Sequence, residues 1–240
     1  MKTNQEYKNA ALDALKGNWA PFVVAVIIMM AFMYVVMGPY LFVYQVSLGM
    51  HQIAISPAFA FAAVAVYILG MPLLAMPLTL GFGYASNRLL VEGDNRAIGN
   101  LFRDSFVRWG RKVWGMFLMN FLISLWSLLL IIPGFIKYYA YALTPYILID
   151  NPELSANQAI NLSQKMMKGH KFDMFILHLS FIGWIFLSIF TFGIGLLWLL
   201  PYMMTAQAAF YQDVKKEYNK KIQLLTTKFK QLCFHSLFGS

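Results

Sequence analysis

An uncharged stretch of 71 residues, from Gly17 to Asn87, most restricts the folds open to this chain. A helix needs about 20 consecutive apolar residues to cross a hydrocarbon core of roughly 30 Å. The stretch therefore has room for two crossings and the turn between them. Two further runs without Asp, Glu, Lys or Arg, from Val113 to Ile136 and from Met174 to Gln212, each predict another helical hairpin. The first of these continues in apolar character to Ile149.

Three hairpins predict an all-α polytopic membrane protein with six transmembrane helices. A composition of 60% hydrophobic and 12% charged residues agrees with this class, because the polar residues are too few to cover a water-soluble surface. All six spans are assigned to one membrane domain, residues 1–214. The predicted spans are residues 19–45, 57–84, 112–131, 134–149, 173–192 and 194–212.

The basic residues distinguish the two sides of the predicted membrane. Eighteen of the nineteen Lys and Arg residues lie before span one, between spans two and three, between spans four and five, or after span six. The positive-inside rule assigns these connections to the cytoplasm, and both termini with them. Short turns at residues 132–134 and 191–193 and a longer loop at about residues 45–57 are predicted on the opposite side. The net charge of +9 is therefore a topology signal and no evidence for a nucleic-acid partner.

A polar segment before each hairpin has helical periodicity, which predicts an interfacial amphipathic helix on the cytoplasmic face. The first begins with Thr3 and Glu6 in capping-box spacing, and the third is predicted to begin at residues 150–153. Gly17, Gly110 and Gly169 are predicted to end the three helices, because helix C-termini favour a left-handed glycine.

The tail, residues 215–240, is predicted to continue as a basic amphipathic helix. Two interpretations remain open: a juxtamembrane helix anchored on anionic lipid, or a docking site for a cytoplasmic partner. The apolar stripe consists of Tyr211, Val214, Tyr218, Ile222, Leu225, Phe229 and Leu232.

The second half of the chain carries a distinctive series of short motifs. They are DNPELS at residues 150–155, MKGHK at 167–171, LSFIGW at 179–184, FGIGLLW at 192–198 and AFY at 209–211. The series resembles the integral membrane family catalogued as domain-of-unknown-function family 975, and the resemblance extends over about residues 7–214. It implies a bacterial cytoplasmic (inner) membrane protein and no assigned reaction.

The sequence contains no short catalytic or metal-binding pattern. His-Glu-x-x-His, Gly-x-Ser-x-Gly and the Walker loop are absent, and Cys233 is the single cysteine. The four histidines are scattered, without zinc-ligand spacing. We therefore expect no catalytic, cofactor-binding or metal-binding residue, and no enzyme.

Five basic residues are candidates for contact with lipid or another anion: Arg103, Arg108, Arg111, Lys137 and Lys168. Lys137 is the one that lies away from the predicted cytoplasmic side. Its side chain either extends to the outer interface or points inward to bind an anion or a lipid phosphate.

Polar residues and helix breakers inside the predicted spans give further candidates. His178 and Asn120 either serve a function within the membrane or form hydrogen bonds between helices. Pro72 and Pro77 are candidate helix breaks in span two. Transporters expose backbone groups at such breaks, although membrane helices also contain prolines without that role.

These features favour a non-enzymatic membrane component that acts in lipid or envelope organisation or in partner assembly. Its expected partners are membrane lipids and either a second copy or another protein at the cytoplasmic helices. The alternative is a small-solute or ion transporter or channel, which Pro72 and Lys137 suggest.

Overall fold

The computed structural model describes residues 2–49 and 53–238, and of Leu129 and residues 229–238 only the backbone. All regular secondary structure in these ranges is helical, and a π-helical segment, Met71–Ala75, joins α3 to α4. The helices are α1 (Asn4–Leu15), α2 (Trp19–Ser47), α3 (Pro57–Gly70), α4 (Met76–Glu92), α5 (Ala97–Phe106), α6 (Trp109–Leu129), α7 (Ile131–Tyr141), α8 (Thr144–Asp150), α9 (Ala156–Met166), α10 (Lys171–Leu179), α11 (Ile182–Phe190) and α12 (Leu196–Phe238). The predicted outer loop lies partly outside the described ranges, as do the side chains of Cys233, Phe229 and Leu232.

Three segments of the described chain are long and apolar enough to cross a membrane. They are Trp19–Ser47, the continuous helix Pro57–Glu92, and Lys171–Phe190, and they correspond to predicted spans one, two and five. Predicted spans three, four and six are also helical, but they are not among these three segments. Helix α6 has 21 residues, span four is divided between α7 and α8, and span six is part of α12, whose 43 residues continue through the predicted tail.

The three amphipathic segments form helices whose apolar faces pack against other helices. Helix α1 packs on α12, α5 on α4 and α2, and α9 on α6, α7 and α8. The Tyr7 hydroxyl of α1 donates to Asp213 at 2.6 Å, and its ring lies edge-on to Phe210 at 5.5 Å between centroids. The apolar periodicity of α1 and α9 therefore corresponds to packing within the protein, whereas on α5 Leu101 is buried and Ile98 and Phe106 are exposed.

The helix ends confirm some local predictions and correct others. Thr3 and Glu6 form the predicted capping box, and Gly17 and Gly169 are left-handed, with φ of 82° and 97°. Gly110 is not: α5 ends at Phe106, and Arg108 takes the left-handed conformation with φ of 54°. Gly110 instead lies in the first turn of α6.

The predicted beginning of the third amphipathic helix is also wrong. Asp150 is the last residue of α8, and Ser155 is the N-cap of α9, in a capping box with Gln158. The physical reason is that the Asp150 carboxylate accepts hydrogen bonds from distant side chains, while the Ser155 hydroxyl accepts from the Gln158 backbone N–H.

The two tight turns are found close to where the sequence predicts them. Between α6 and α7 the chain reverses at Leu130, whose backbone is extended, rather than at residues 132–134. Pro133 lies in the first turn of α7, where the N–H that proline lacks would have no intrahelical acceptor. The second turn, at residues 191–193, is confirmed, with Phe192 and Gly193 at φ of 52° and 84°.

Helix α4 is central in the fold because it packs against α5, α12, α8 and α6. Gly81 allows α5 to approach closely: a Cβ at this position would overlap the Leu101 carbonyl oxygen and the Ser105 hydroxyl. Small residues permit such close backbone contact between helices. This contact places the end of α5, with Arg103 and Asp104, beside the beginning of α6.

Candidate anion-binding cleft

A cleft of about 310 Å³ lies where α4, α5, α6 and the connection between α8 and α9 meet. Five of its lining residues are basic and one is acidic, which corresponds to a formal charge of +4. The structure thus brings together three of the five predicted anion-contacting residues, and adds others. The charged lining residues are Arg88, Arg103, Asp104, Arg108, Arg111 and Lys112.

The backbone between α5 and α6 sets the position of Arg108. Val107 is extended and Arg108 is left-handed (φ 54°, ψ 41°), a conformation that is unfavourable for a residue other than glycine. The Arg108 side chain extends to the opposite wall of the cleft, which Leu148, Ile149 and Pro152 form. There its Nη1 donates to the Pro152 carbonyl at 2.8 Å. Because Arg108 is exposed, its other guanidinium N–H groups are accessible to an anion.

Arg111 holds the opposite wall together. Its two terminal nitrogens donate to the carbonyl oxygens of Leu148, Asn151 and Leu154, at the end of α8 and in the turn that follows. Helix ends leave such carbonyls without intrahelical donors. Burial, and then the charge of Arg108, lower the pKa of Arg111, and Glu153 opposes them. Arg111 therefore adds positive charge to the cleft while its terminal nitrogens bind the backbone.

Asp104 neutralises part of the remaining positive charge. Its carboxylate lies 3.1 Å from Arg88 Nε, and its backbone carbonyl accepts a hydrogen bond from the buried Lys112 ammonium. Arg103 is half exposed, with Nε 3.7 Å from Asp104. Among the arginines of the cleft, Arg103 and Arg108 are the exposed ones, whereas Arg88 and Arg111 are partly buried.

The carboxylate of Asp150, the last residue of α8, is buried and binds side chains of two other helices. Asp150 accepts hydrogen bonds from the hydroxyl groups of Tyr84, at 2.5 Å, and Tyr211, at 2.6 Å, and from the Lys215 ammonium. Tyr211 also stacks on Tyr146, with 4.9 Å between ring centroids. These contacts join α8 to α4 and α12, so the wall of the cleft is held from both sides.

The chain matches one family model, and the matched residues include part of the cleft. Residues 108–218 match the family described as protein of unknown function (DUF975). The match confirms the resemblance over this part of the chain. It includes Arg108, Arg111 and Asp150, whereas Arg88 and Arg103 precede it. No curated protein and no solved structure matches the chain.

The other two predicted basic candidates lie outside the cleft. Lys137, inside the family match, is on α7, with its ammonium 4.8 Å from the Trp126 ring centroid and 5.7 Å from that of Tyr141. This geometry is a cation–π interaction. Lys168 is exposed in the turn after α9.

The polar candidates within the predicted spans have partners close by. His178 is partly buried, with its ring 5.7 Å from that of Tyr139. Asn120 donates to the Met116 carbonyl at 2.8 Å and lies 3.9 Å from the Met76 sulfur. Among the described residues, no group of three or more His, Cys, Asp or Glu side chains is placed to hold a metal ion.

The proline candidates change the form of the second span without interrupting it. Pro72 is in the π-helical segment, and Pro77 follows in the first turn of α4. Pro77 has no N–H to donate to the carbonyl of Leu73, four residues earlier. The Trp109 indole N–H donates to that oxygen, at 2.8 Å. This contact connects the beginning of α6, beside Arg108, to the second span.

Proposed function

We propose that this protein is a non-enzymatic membrane component that binds the anionic headgroup of a membrane lipid in the cationic cleft and acts in lipid or envelope organisation. The observation that carries the proposal is the pair of exposed guanidinium groups, Arg103 and Arg108, in a cleft with a formal charge of +4. Guanidinium groups bind phosphate oxygens in a bidentate manner. A positively charged cleft favours an anionic headgroup over a zwitterionic one, whose phosphate charge is offset by its own cation.

The proposed orientation places this cleft at the cytoplasmic surface of a bacterial inner membrane. Three hairpins enter the bilayer from that side in six crossings, and both termini are cytoplasmic. Eighteen of nineteen basic residues then lie on one side, as the positive-inside rule requires. Trp109 and Trp114 are both exposed and lie within two residues of the cleft residues Arg108 and Lys112, which suits a headgroup boundary.

A binding comparison tests the proposal. Purified protein is titrated with phosphatidylglycerol and with phosphatidylcholine, and complexes are counted by native mass spectrometry. We expect a preference for phosphatidylglycerol that falls roughly tenfold in the double variant Arg103→Gln and Arg108→Asn, because charge-assisted hydrogen bonds are lost. Asparagine at position 108 tolerates the left-handed backbone.

The matched control removes two positive charges elsewhere. Lys16 and Lys165 are both exposed and lie on the same predicted side as the cleft. The variant Lys16→Gln with Lys165→Gln should keep the lipid preference of the wild type. An equal loss in both double variants would show that binding depends on total charge, and it would refute the cleft as the site.

Partner assembly is a second form of the same proposal, and the end of α12 supports it. Ile222 and Leu225 are exposed there among lysines, on a helix that continues past the bundle. Exposed apolar residues in a basic helix suit a second copy or an acidic protein. Light scattering of the full chain and of a variant ending at residue 218 tests this. The same oligomeric state in both proteins would exclude a role for the helix end in self-assembly.

The transport alternative has one structural observation in its favour, the π-helical segment in the second span. Such segments often occur at functional sites. Protein-dependent solute flux into vesicles that disappears in Pro72→Ala or Lys137→Met would support transport. Flux that is absent over a broad panel of solutes and ions would count against it.

A further inference from the structure

We infer that the cationic cleft is the headgroup end of a longer site, which also binds an acyl chain of the same lipid in a groove along α3. The inference rests on the proposed function of the cleft. The groove has a volume of about 470 Å³. One face of the helix between Ala65 and Leu74 forms it, together with the ring of Trp109.

The two cavities are lined by consecutive residues. Arg108 lines the cationic cleft and Trp109 lines the apolar groove. Their Cα atoms are about 3.8 Å apart, as in any trans peptide. An amphiphile can therefore place its phosphate against Arg108 and its apolar part against the neighbouring Trp109. This combination fits an amphiphile, and it distinguishes a lipid from free phosphate or a nucleotide.

The direction of the groove also suits a lipid. From Leu74 to Ala65 the helix extends by nine residues, about 13 Å at 1.5 Å per residue. In the proposed topology this direction leads away from the cytoplasmic side, because residue 74 is nearer than residue 65 to the cytoplasmic end of span two. An acyl chain leaves its headgroup in the same direction.

The shape of the groove has identifiable causes. Trp109 is held against the helix by its bond to the Leu73 carbonyl, so its ring is fixed as one wall. Val66, Leu69 and Leu74 are exposed, which leaves apolar side chains for a ligand to cover. The positive charge of the adjoining cleft selects the class of ligand, which is an anionic phospholipid.

Chain-length dependence is the measurement that tests this inference. Affinity is measured for phosphatidylglycerols with short, medium and long acyl chains, and each is compared with phosphatidylcholine of equal length. We expect the preference of the wild type for phosphatidylglycerol over phosphatidylcholine to increase with acyl-chain length. Ala65→Trp, which fills the groove, should lower affinity for the long-chain lipid roughly tenfold and leave that for dihexanoyl phosphatidylglycerol unchanged.

The control variant is Ile68→Trp, which adds an indole to an exposed position on the same helix outside the groove. It should bind all chain lengths as the wild type does. Unchanged short-chain binding also shows that each variant is folded. If Ala65→Trp is poorly folded, Leu69→Ser, which makes the groove polar, replaces it and should reduce long-chain affinity in the same way.

The outcomes separate this inference from the proposed function. If affinity depends on Arg103 and Arg108 but not on chain length or on Ala65, the cleft binds headgroups and the groove does not bind the chain. If phosphatidylglycerol and phosphatidylcholine bind equally at every length, the cleft itself is not an anion site, and both conclusions are overturned.

Discussion

The indole N–H of Trp109 donates a hydrogen bond to the carbonyl oxygen of Leu73, at 2.8 Å. Pro77 has no N–H, so it cannot donate to this oxygen as the fourth residue along a regular α-helix would. A carbonyl without a donor is costly in an apolar environment. The pairing therefore connects a local sequence feature of the second span to the residue that follows Arg108.

Replacing Trp109 with Phe should destabilise the protein by about 1–2 kcal/mol, because the Leu73 carbonyl loses its donor. The same change in a Pro77→Ala background should cost less, since alanine at that position supplies a backbone N–H. Unfolding of the four proteins in mixed micelles gives the coupling energy of a double-mutant cycle. Equal costs in the two backgrounds would show that Pro77 and Trp109 act independently.

Replacing Asp150 with Asn should destabilise the fold by roughly 2–4 kcal/mol, because a buried carboxylate that pairs with Lys215 and two hydroxyl groups is lost. Tyr84→Phe removes one of these bonds and should cost less. Thermal unfolding in detergent compares them, with Asp13→Asn at an exposed position as the control. An effect of Asp150→Asn no larger than that of Asp13→Asn would contradict the assigned contacts.

Replacing Gly81 with Ala should weaken the docking of α5, because the added Cβ meets the Leu101 carbonyl, which cannot move freely. The expected cost is about 1–3 kcal/mol. Gly83→Ala is the control, since its Cβ would make only ordinary contact with Tyr146. Thermal stability and phosphatidylglycerol binding should both fall in the first variant. Binding that is unaffected despite a large loss of stability would mean that α5 does not shape the cleft.

Acidification should loosen the beginning of α5. Hydrogen bonds from Asn100 and from the Arg96 backbone lower the pKa of Asp94 from 3.8 to about 2. Since the folded pKa lies below the unfolded value, this stabilisation is complete above about pH 4 and is lost as the pH falls through 2. The protection factors of α5 amides, which are corrected for the intrinsic pH dependence of exchange, should fall in that window.

The variant Asp94→Asn provides the control for this pH dependence. Its α5 amides should exchange faster than those of the wild type at pH 5, with a weaker dependence on pH between about 4 and 2. A profile identical to that of the wild type would assign the acid sensitivity to another group.

Local patterns in the sequence predicted much of the helical structure. The uncharged runs identified the apolar helices because span length is set by bilayer thickness, and the Thr3–Glu6 capping box depends only on residues three apart. Arg103, Arg108 and Arg111 are close in sequence, and they line one cleft. Their common cleft follows from α5 and α6 being joined by a short connection.

Such local patterns could not predict contacts between residues that are far apart in sequence. Asp150 follows an apolar run and precedes Asn-Pro, which favoured a helix beginning there; its partners Tyr84 and Tyr211 are 66 and 61 residues away. Arg88 and Lys112 have the same local signal as any basic residue beside a span. Only the packing of α5 on α4 shows that both lie close to Asp104.

The proposed function requires that this protein bind an anionic lipid in the cleft of Arg103 and Arg108. The most direct measurement is lipid analysis of the protein extracted in native membrane patches, compared with bulk membrane from the same cells. We predict enrichment of an anionic phospholipid that is lost in Arg103→Gln with Arg108→Asn and retained in Lys16→Gln with Lys165→Gln. A lipid composition equal to that of bulk membrane in all three proteins would contradict the claim.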